Sequence, residues 1–174
     1  MHSDCKATRF SGTLSRMQRL GFGLCALLSI SAIVYGQAKT SPDKWIGTWK
    51  MNLLKSKYEA GSLPKTRILS FEPVASGVKV SSDLLDTQGS VHLEFSVNYD
   101  GKDVAMRGAM PGSTIAAIRV DAFTFETIQK TDGKVGVRTH FAVSRDGKVL
   151  TATANGLDQN GAKYTNLSVY DRQP

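Results

Sequence analysis

Between residues 66 and 172 the chain repeats one local pattern: a short run alternating apolar with polar residues, then a glycine turn. Asp100-Gly101-Lys102, Asp132-Gly133-Lys134, Asp146-Gly147-Lys148 and Asn160-Gly161 are the strongest of these turns. Asp-Gly and Asn-Gly favour tight hairpins because both central positions adopt positive φ at little cost. No helix-length segment separates them, so successive strands pair antiparallel in sequence order, an up-and-down meander. The period-two runs predict strands over residues 66–73, 78–84, 90–99, 104–107, 113–120, 123–129, 135–143, 149–154 and 162–172. Residues 90–99 alternate most cleanly, with Val91, Leu93, Phe95, Val97 and Tyr99 on one face. His92, Glu94, Ser96 and Asn98 take the other.

One more strand precedes these. In Trp45-Ile46-Gly47-Thr48-Trp49-Lys50-Met51-Asn52, alternation puts Trp45, Gly47, Trp49 and Met51 on one face, followed by Leu53. An indole two residues from a glycine suits a first strand whose Trp fills the closed end of a barrel, the glycine leaving room for a crossing chain. An open sheet of about ten strands would expose two edges, which closure removes. The expected fold is therefore all-β, an antiparallel up-and-down closed barrel of about ten strands, with an open sandwich as the alternative. Residues 54–64 contain Gly61 and Pro64 and no sustained apolar period. They read as a long loop over a barrel mouth, where Tyr58 either tucks onto the barrel end or gates a ligand.

Residues 1–38 read as a signal peptide. Arg9, Arg16 and Arg19 form a basic n-region, residues 20–36 an uncharged apolar run, and Gly36 with Ala38, or Val34 with Gly36, a small-residue cleavage site. Met17-Gln18-Arg19 is a compact n-region in itself, so Met17 is a second candidate start. The rival is an uncleaved anchor, since the run stands at the lower edge of a bilayer span; its glycines and serines favour cleavage. Phe22 and Gly23 before Cys25 do not fit a lipid-attachment site. Cleavage would remove Cys5 and Cys25, leaving residues 39–174 as a single domain without thiols, exported to the periplasm or medium. It would also remove four basic residues and one acid, lowering the net charge from +7 to +4. The remaining excess is scattered, which argues against nucleic-acid binding.

Gly47-Thr48-Trp49-Lys50 resembles the Gly-x-Trp opening of calycin barrels, the lipocalins and fatty-acid-binding proteins. Together with Lys55-Ser56-Lys57-Tyr58 it is also similar to small secreted bacterial lipocalin-like proteins, over roughly residue 45 to the C-terminus. The resemblance implies a barrel that binds a small molecule. It also implies a closing contact in which a cation near the end of the last strand packs on the first-strand Trp, here Arg172 over Trp49 beside Gly47. Val169-Tyr170-Asp171-Arg172 resembles the Arg-x-Tyr ending with which fatty-acid-binding proteins hold a carboxylate. Tyr170 matches the Tyr, but Ser168 stands where the Arg would be, so the resemblance implies a neutral or largely apolar ligand.

Motifs for covalent chemistry do not emerge. His92 and His140 lack a metal partner at a recognised spacing, and there is no Gly-x-Ser-x-Gly elbow, phosphate loop or calcium loop. The reading is thus a monomeric, non-catalytic exported protein binding a small, largely apolar ligand, with no cofactor, no metal, no nucleic acid, and a membrane only through an uncleaved leader. A small hydrolase or isomerase in the same barrel is the weaker reading. Trp49, Tyr164 and Tyr170 are the expected ligand contacts; Arg138 and His140 are further candidates, although their face, opposite Val137, Thr139, Phe141 and Val143, reads first as a solvated sheet face. A barrel this wide stays hollow unless bulky residues line it, and Ala105, Ala116, Ala117, Ala142, Ala152 and Ala154 leave space if they point inward. The alternative is an envelope structural or protein-interaction module with a filled barrel.

Overall fold

The computed structural model describes residues 43–174. The leader expected over residues 1–38, with Cys5, Cys25 and the second candidate start Met17, lies outside the described residues. Ten strands follow: β1 (Gly47–Met51), β2 (Thr66–Val74), β3 (Gly77–Leu85), β4 (Ser90–Val97), β5 (Val104–Ala105), β6 (Ser113–Arg119), β7 (Thr124–Thr131), β8 (Lys134–Val143), β9 (Val149–Leu157) and β10 (Lys163–Arg172). They form one antiparallel sheet in the order β4-β3-β2-β1-β10-β9-β8-β7-β6-β5, a nearly closed barrel rather than two stacked sheets. The predicted strands match in number and order, with ends shifted by a residue or two at most positions.

First and last strands are neighbours: Trp49 stands opposite Arg172, and Met51 opposite Tyr170. The Arg172 guanidinium lies 4.1 Å from the Trp49 ring centroid. Its Nε donates to the Gly147 carbonyl at 2.6 Å, one terminal nitrogen donates to the Ile46 carbonyl at 2.8 Å, and the other donates to the Lys44 carbonyl. Gly47 makes this possible. At φ +125, a Cβ there would stand 2.6 Å from an Arg172 nitrogen, so the space is kept for a guanidinium, not for a crossing chain.

The seam lies elsewhere. Among the described residues β4 and β5 are the one consecutive pair without a ladder, linked through a single bridge between Glu94 and Arg107. Two reciprocal backbone bonds of 3.0 and 2.9 Å make that bridge. The expected Asp100-Gly101 hairpin does not return the chain along β4, because Tyr99 adopts φ 57 and turns it aside. Gly101 N–H then bonds the Ala117 carbonyl at 3.0 Å, placing the segment against β6. Gly108 allows the return to β4: any Cβ there would fall 1.9 Å from the His92 carbonyl oxygen.

Residues 54–64 also depart from expectation. β10 has ten residues and β1 five, so half of the β10 edge would lack partners. The chain after β1 supplies them. Lys57 and Leu167 exchange backbone bonds of 2.8 and 2.7 Å. The Asn166 side chain accepts from Glu59 N–H and Ala60 N–H and donates to the Ala60 carbonyl. The segment prolongs the barrel wall instead of hanging free across the mouth.

At the base, Trp45 and Trp49 are fully buried. Trp49 Nε1–H donates to the Trp45 carbonyl, and Trp45 Nε1–H donates to the Tyr99 hydroxyl, both at 2.7 Å. Trp45, Tyr99, Phe71, Phe125 and Phe141 then form a continuous aromatic stack with centroid spacings between 4.5 and 6.4 Å.

Arg172→Leu should cost about 2–4 kcal/mol, since it removes a cation–π contact and leaves three carbonyls without a donor. Arg172→Lys should recover little of it, because an ammonium cannot fork to three acceptors over a ring. Gly47→Ala should cost about 1 kcal/mol or more through strain at positive φ. Urea unfolding monitored by tryptophan emission measures all three.

Candidate functional site

Alternation along the strands sends one row of side chains into the barrel and the next row to solvent. The inward rows of β2 (Arg67, Leu69, Phe71), β3 (Val78, Val80, Ser82), β4 (Leu93, Phe95, Val97), β7 (Phe125, Thr127, Gln129) and β8 (Thr139, Phe141), with Met106 and Ile115, enclose a cavity of about 100 Å³. Its two ends differ. Phe71, Val78, Val97 and Phe125 stand toward the turns after β2, β4 and β6, where the aromatic stack fills the base. Arg67, Ser82 and Gln129 stand toward the opposite strand ends, near the turns at residues 86–89 and 132–133. The cavity is thus apolar at its floor and polar at its mouth.

Behind Arg67 sits a second polar group, on β10. Tyr170 is 1 % exposed, and Tyr58 and Ser168 share a hydroxyl–hydroxyl hydrogen bond of 2.9 Å. Burial pushes the Tyr170 phenol above the ordinary tyrosine value, while the nearby Arg67 guanidinium and Ser168 hydroxyl offset part of that rise. Tyr99 is raised in the same direction and for the same chief reason, burial, with the Trp45 N–H opposing it.

The five sequence-derived ligand candidates are not brought together. Trp49 is sealed beneath Arg172 and does not border the cavity. Tyr170 stands within the wall packing, and Tyr164 borders a shallow depression at the rim with Ala60 and Leu157. Arg138 and His140 project from the outer face, since their β8 neighbours Thr139 and Phe141 take the inward row. His140 meets Glu126 of β7 there at 3.3 Å. Of the small residues expected to make room, Ala117 and Ala152 join the inner core, whereas Ala105 is exposed.

Arg67 is the side chain that sequence reading passed over. In Thr66-Arg67-Ile68-Leu69-Ser70-Phe71 both rows begin plausibly, one with Arg67, Leu69 and Phe71, the other with Ile68 and Ser70. The signal that could have decided it is two positions on, because Phe71 belongs inside far more often than Ser70. Among the described residues no group of three or more His, Asp or Glu is placed to hold a metal ion.

No protein-family profile matches the chain, and comparison with curated proteins gives no match. Solved structures do match in shape. Secretory abundant heat soluble protein 4 from Ramazzottius varieornatus aligns with a TM-score of 0.50 at 12% identity, over 79% of this chain and 100% of that one. As-p18, an extracellular fatty acid binding protein, aligns with a TM-score of 0.46 at 17% identity, over 78% of this chain and 100% of that one. The described chain has a calycin-like barrel fold.

The tyrosine shifts carry a sign. A phenol raised above its unfolded value leaves stability intact below pH 10.0, the ordinary tyrosine pKa, and erodes it as pH rises past that value. Thermal midpoints measured from about pH 8 to 11.5 should be flat and then fall above about pH 10, and Tyr170→Phe should make the fall shallower.

Proposed function

We propose that the protein is an exported, non-catalytic binder of a small, largely apolar molecule held inside the barrel. The observation that supports this most directly is the internal cavity of about 100 Å³, floored by Phe71, Phe125 and Phe141. Apolar cavities of about 150 Å³ take a benzene-sized guest, whereas sites for drug-sized molecules run to about 300–1,000 Å³. At about 100 Å³ the space falls short of the benzene figure, so a single ring or a short branched chain is the upper limit, with any substituent standing in the polar mouth. The polar groups at the cavity are hydroxyls, one amide and one guanidinium, without a histidine or carboxylate to serve as general base, which supports binding rather than turnover. The basic and apolar leader pattern of residues 1–38 supports export.

Met106 borders the cavity, while Met110 is 71% exposed. Toluene titrated into protein carrying 13C-methyl methionine should shift the Met106 signal saturably and leave Met110 in place. Thr139→Phe, which fills the cavity from β8, should weaken that binding by about tenfold or more, while overpacking costs stability by no more than about 1–3 kcal/mol. A linear, unsaturable response would mean that the barrel is filled and that its outer face does the work.

A further inference from the structure

The interior carries a charge that the protein does not neutralise. Arg67 Nε donates to the Ser82 hydroxyl at 3.2 Å and its guanidinium lies against the Tyr170 hydroxyl, but among the described residues no carboxylate lies within salt-bridge distance of it. Nor does its guanidinium donate to any backbone carbonyl, in contrast to Arg172, which donates to three. The acids of the neighbouring strands all face away. Asp83 pairs with His92 outside, Glu94 with Lys79, and Glu126 with His140. Glu72 is exposed as well. No Asp or Glu stands among the side chains that enclose the cavity.

A half-buried guanidinium without a counter-ion is unfavourable, and a bound anion removes the deficit. Arg also presents two terminal nitrogens in a fixed fork that matches a carboxylate. Beneath the fork lies an aromatic floor in which Phe125 and Phe141 stack at 4.5 Å and 4°. We propose that the cavity selects a compact aromatic or branched monoanion, its ring against Phe71, Phe125 and Phe141 and its anionic group at Arg67 beside Ser82. This rests on the binding reading above and narrows it from any small apolar guest to one carrying a single negative charge. One cation among the lining side chains fits one charge, and about 100 Å³ excludes a long acyl chain. The cation comes from β2, so the site does not depend on the Arg-x-Tyr arrangement that Ser168 interrupts on β10.

The test compares benzoate with its neutral near-isostere toluene, and both with palmitate, by the Met106 methyl shift and by calorimetry. Wild-type protein should bind benzoate at least about tenfold more tightly than toluene, and palmitate no better than benzoate. Arg67→Gln should abolish the preference, weakening benzoate by about tenfold or more while toluene binds as before. Arg67→Lys should recover only part of it. Equal affinities for benzoate and toluene in the wild type would overturn the charge selection and leave the apolar binding reading standing. So would equal losses of both ligands in Arg67→Gln at an unchanged thermal midpoint. If neither ligand shifts Met106, the binding reading itself fails. Tighter binding of palmitate would overturn the size limit alone.

Discussion

The barrel depends on one clasp, between Arg172 at the end of the chain and Trp49 near its described start. It joins β1 to β10, the pair with the longest sequence separation in the sheet. Bringing such distant segments together carries a loop-closure cost that short hairpins do not. A partly desolvated guanidinium over an indole, with three carbonyl acceptors, offsets that cost with directional contacts. Gly47 permits the approach, Trp49 provides the ring, and the turn at Gly147 provides an acceptor from a third segment. Opposite the clasp the β4–β5 seam holds through little more than the Glu94–Arg107 bridge.

The same closure divides the interior. Aromatic rings stacked from Trp45 to Phe141 fill the base, and the phenols of Tyr58 and Tyr170 occupy the side next to β10. What stays hollow is the space enclosed by β2, β3, β4, β7 and β8. Ten strands would enclose more than this if small residues lined them throughout. Here most of the inward positions are large, and the residual cavity is only about 100 Å³.

Charge follows the wall. Acids pair with bases across strands on the outer face, as Glu94 does with Lys79 and Glu126 with His140, where water screens them and each pair contributes little. Arg67 and Arg172 both stand on inward-facing rows, and they differ in what surrounds them. Arg172 is saturated by carbonyls and a ring, so it is structural. Arg67 has two neutral hydroxyls, of Ser82 and Tyr170, and no carboxylate, which is why the proposed anion site is placed there.

The amino-acid sequence by itself determined the strand count, the antiparallel order and the barrel class, because these follow from period-two alternation and Asp-Gly turn chemistry, both local. It also carried the Gly47, Trp49 and Arg172 residues of the clasp, through their likeness to a calycin opening. Three things were decided only by tertiary structure. The β4–β5 break came from Tyr99 turning aside at positive φ, and the strap of residues 54–64 from the unequal lengths of β1 and β10. The third was which face of β2 looks inward. A slip of one residue exchanges the two faces of a strand, and in Thr66-Arg67-Ile68-Leu69 both faces mix polar with apolar side chains. Register against the neighbouring strand settled it and brought Arg67 in, whereas the wholly polar Arg138 and His140 row of β8 already read as a solvated face.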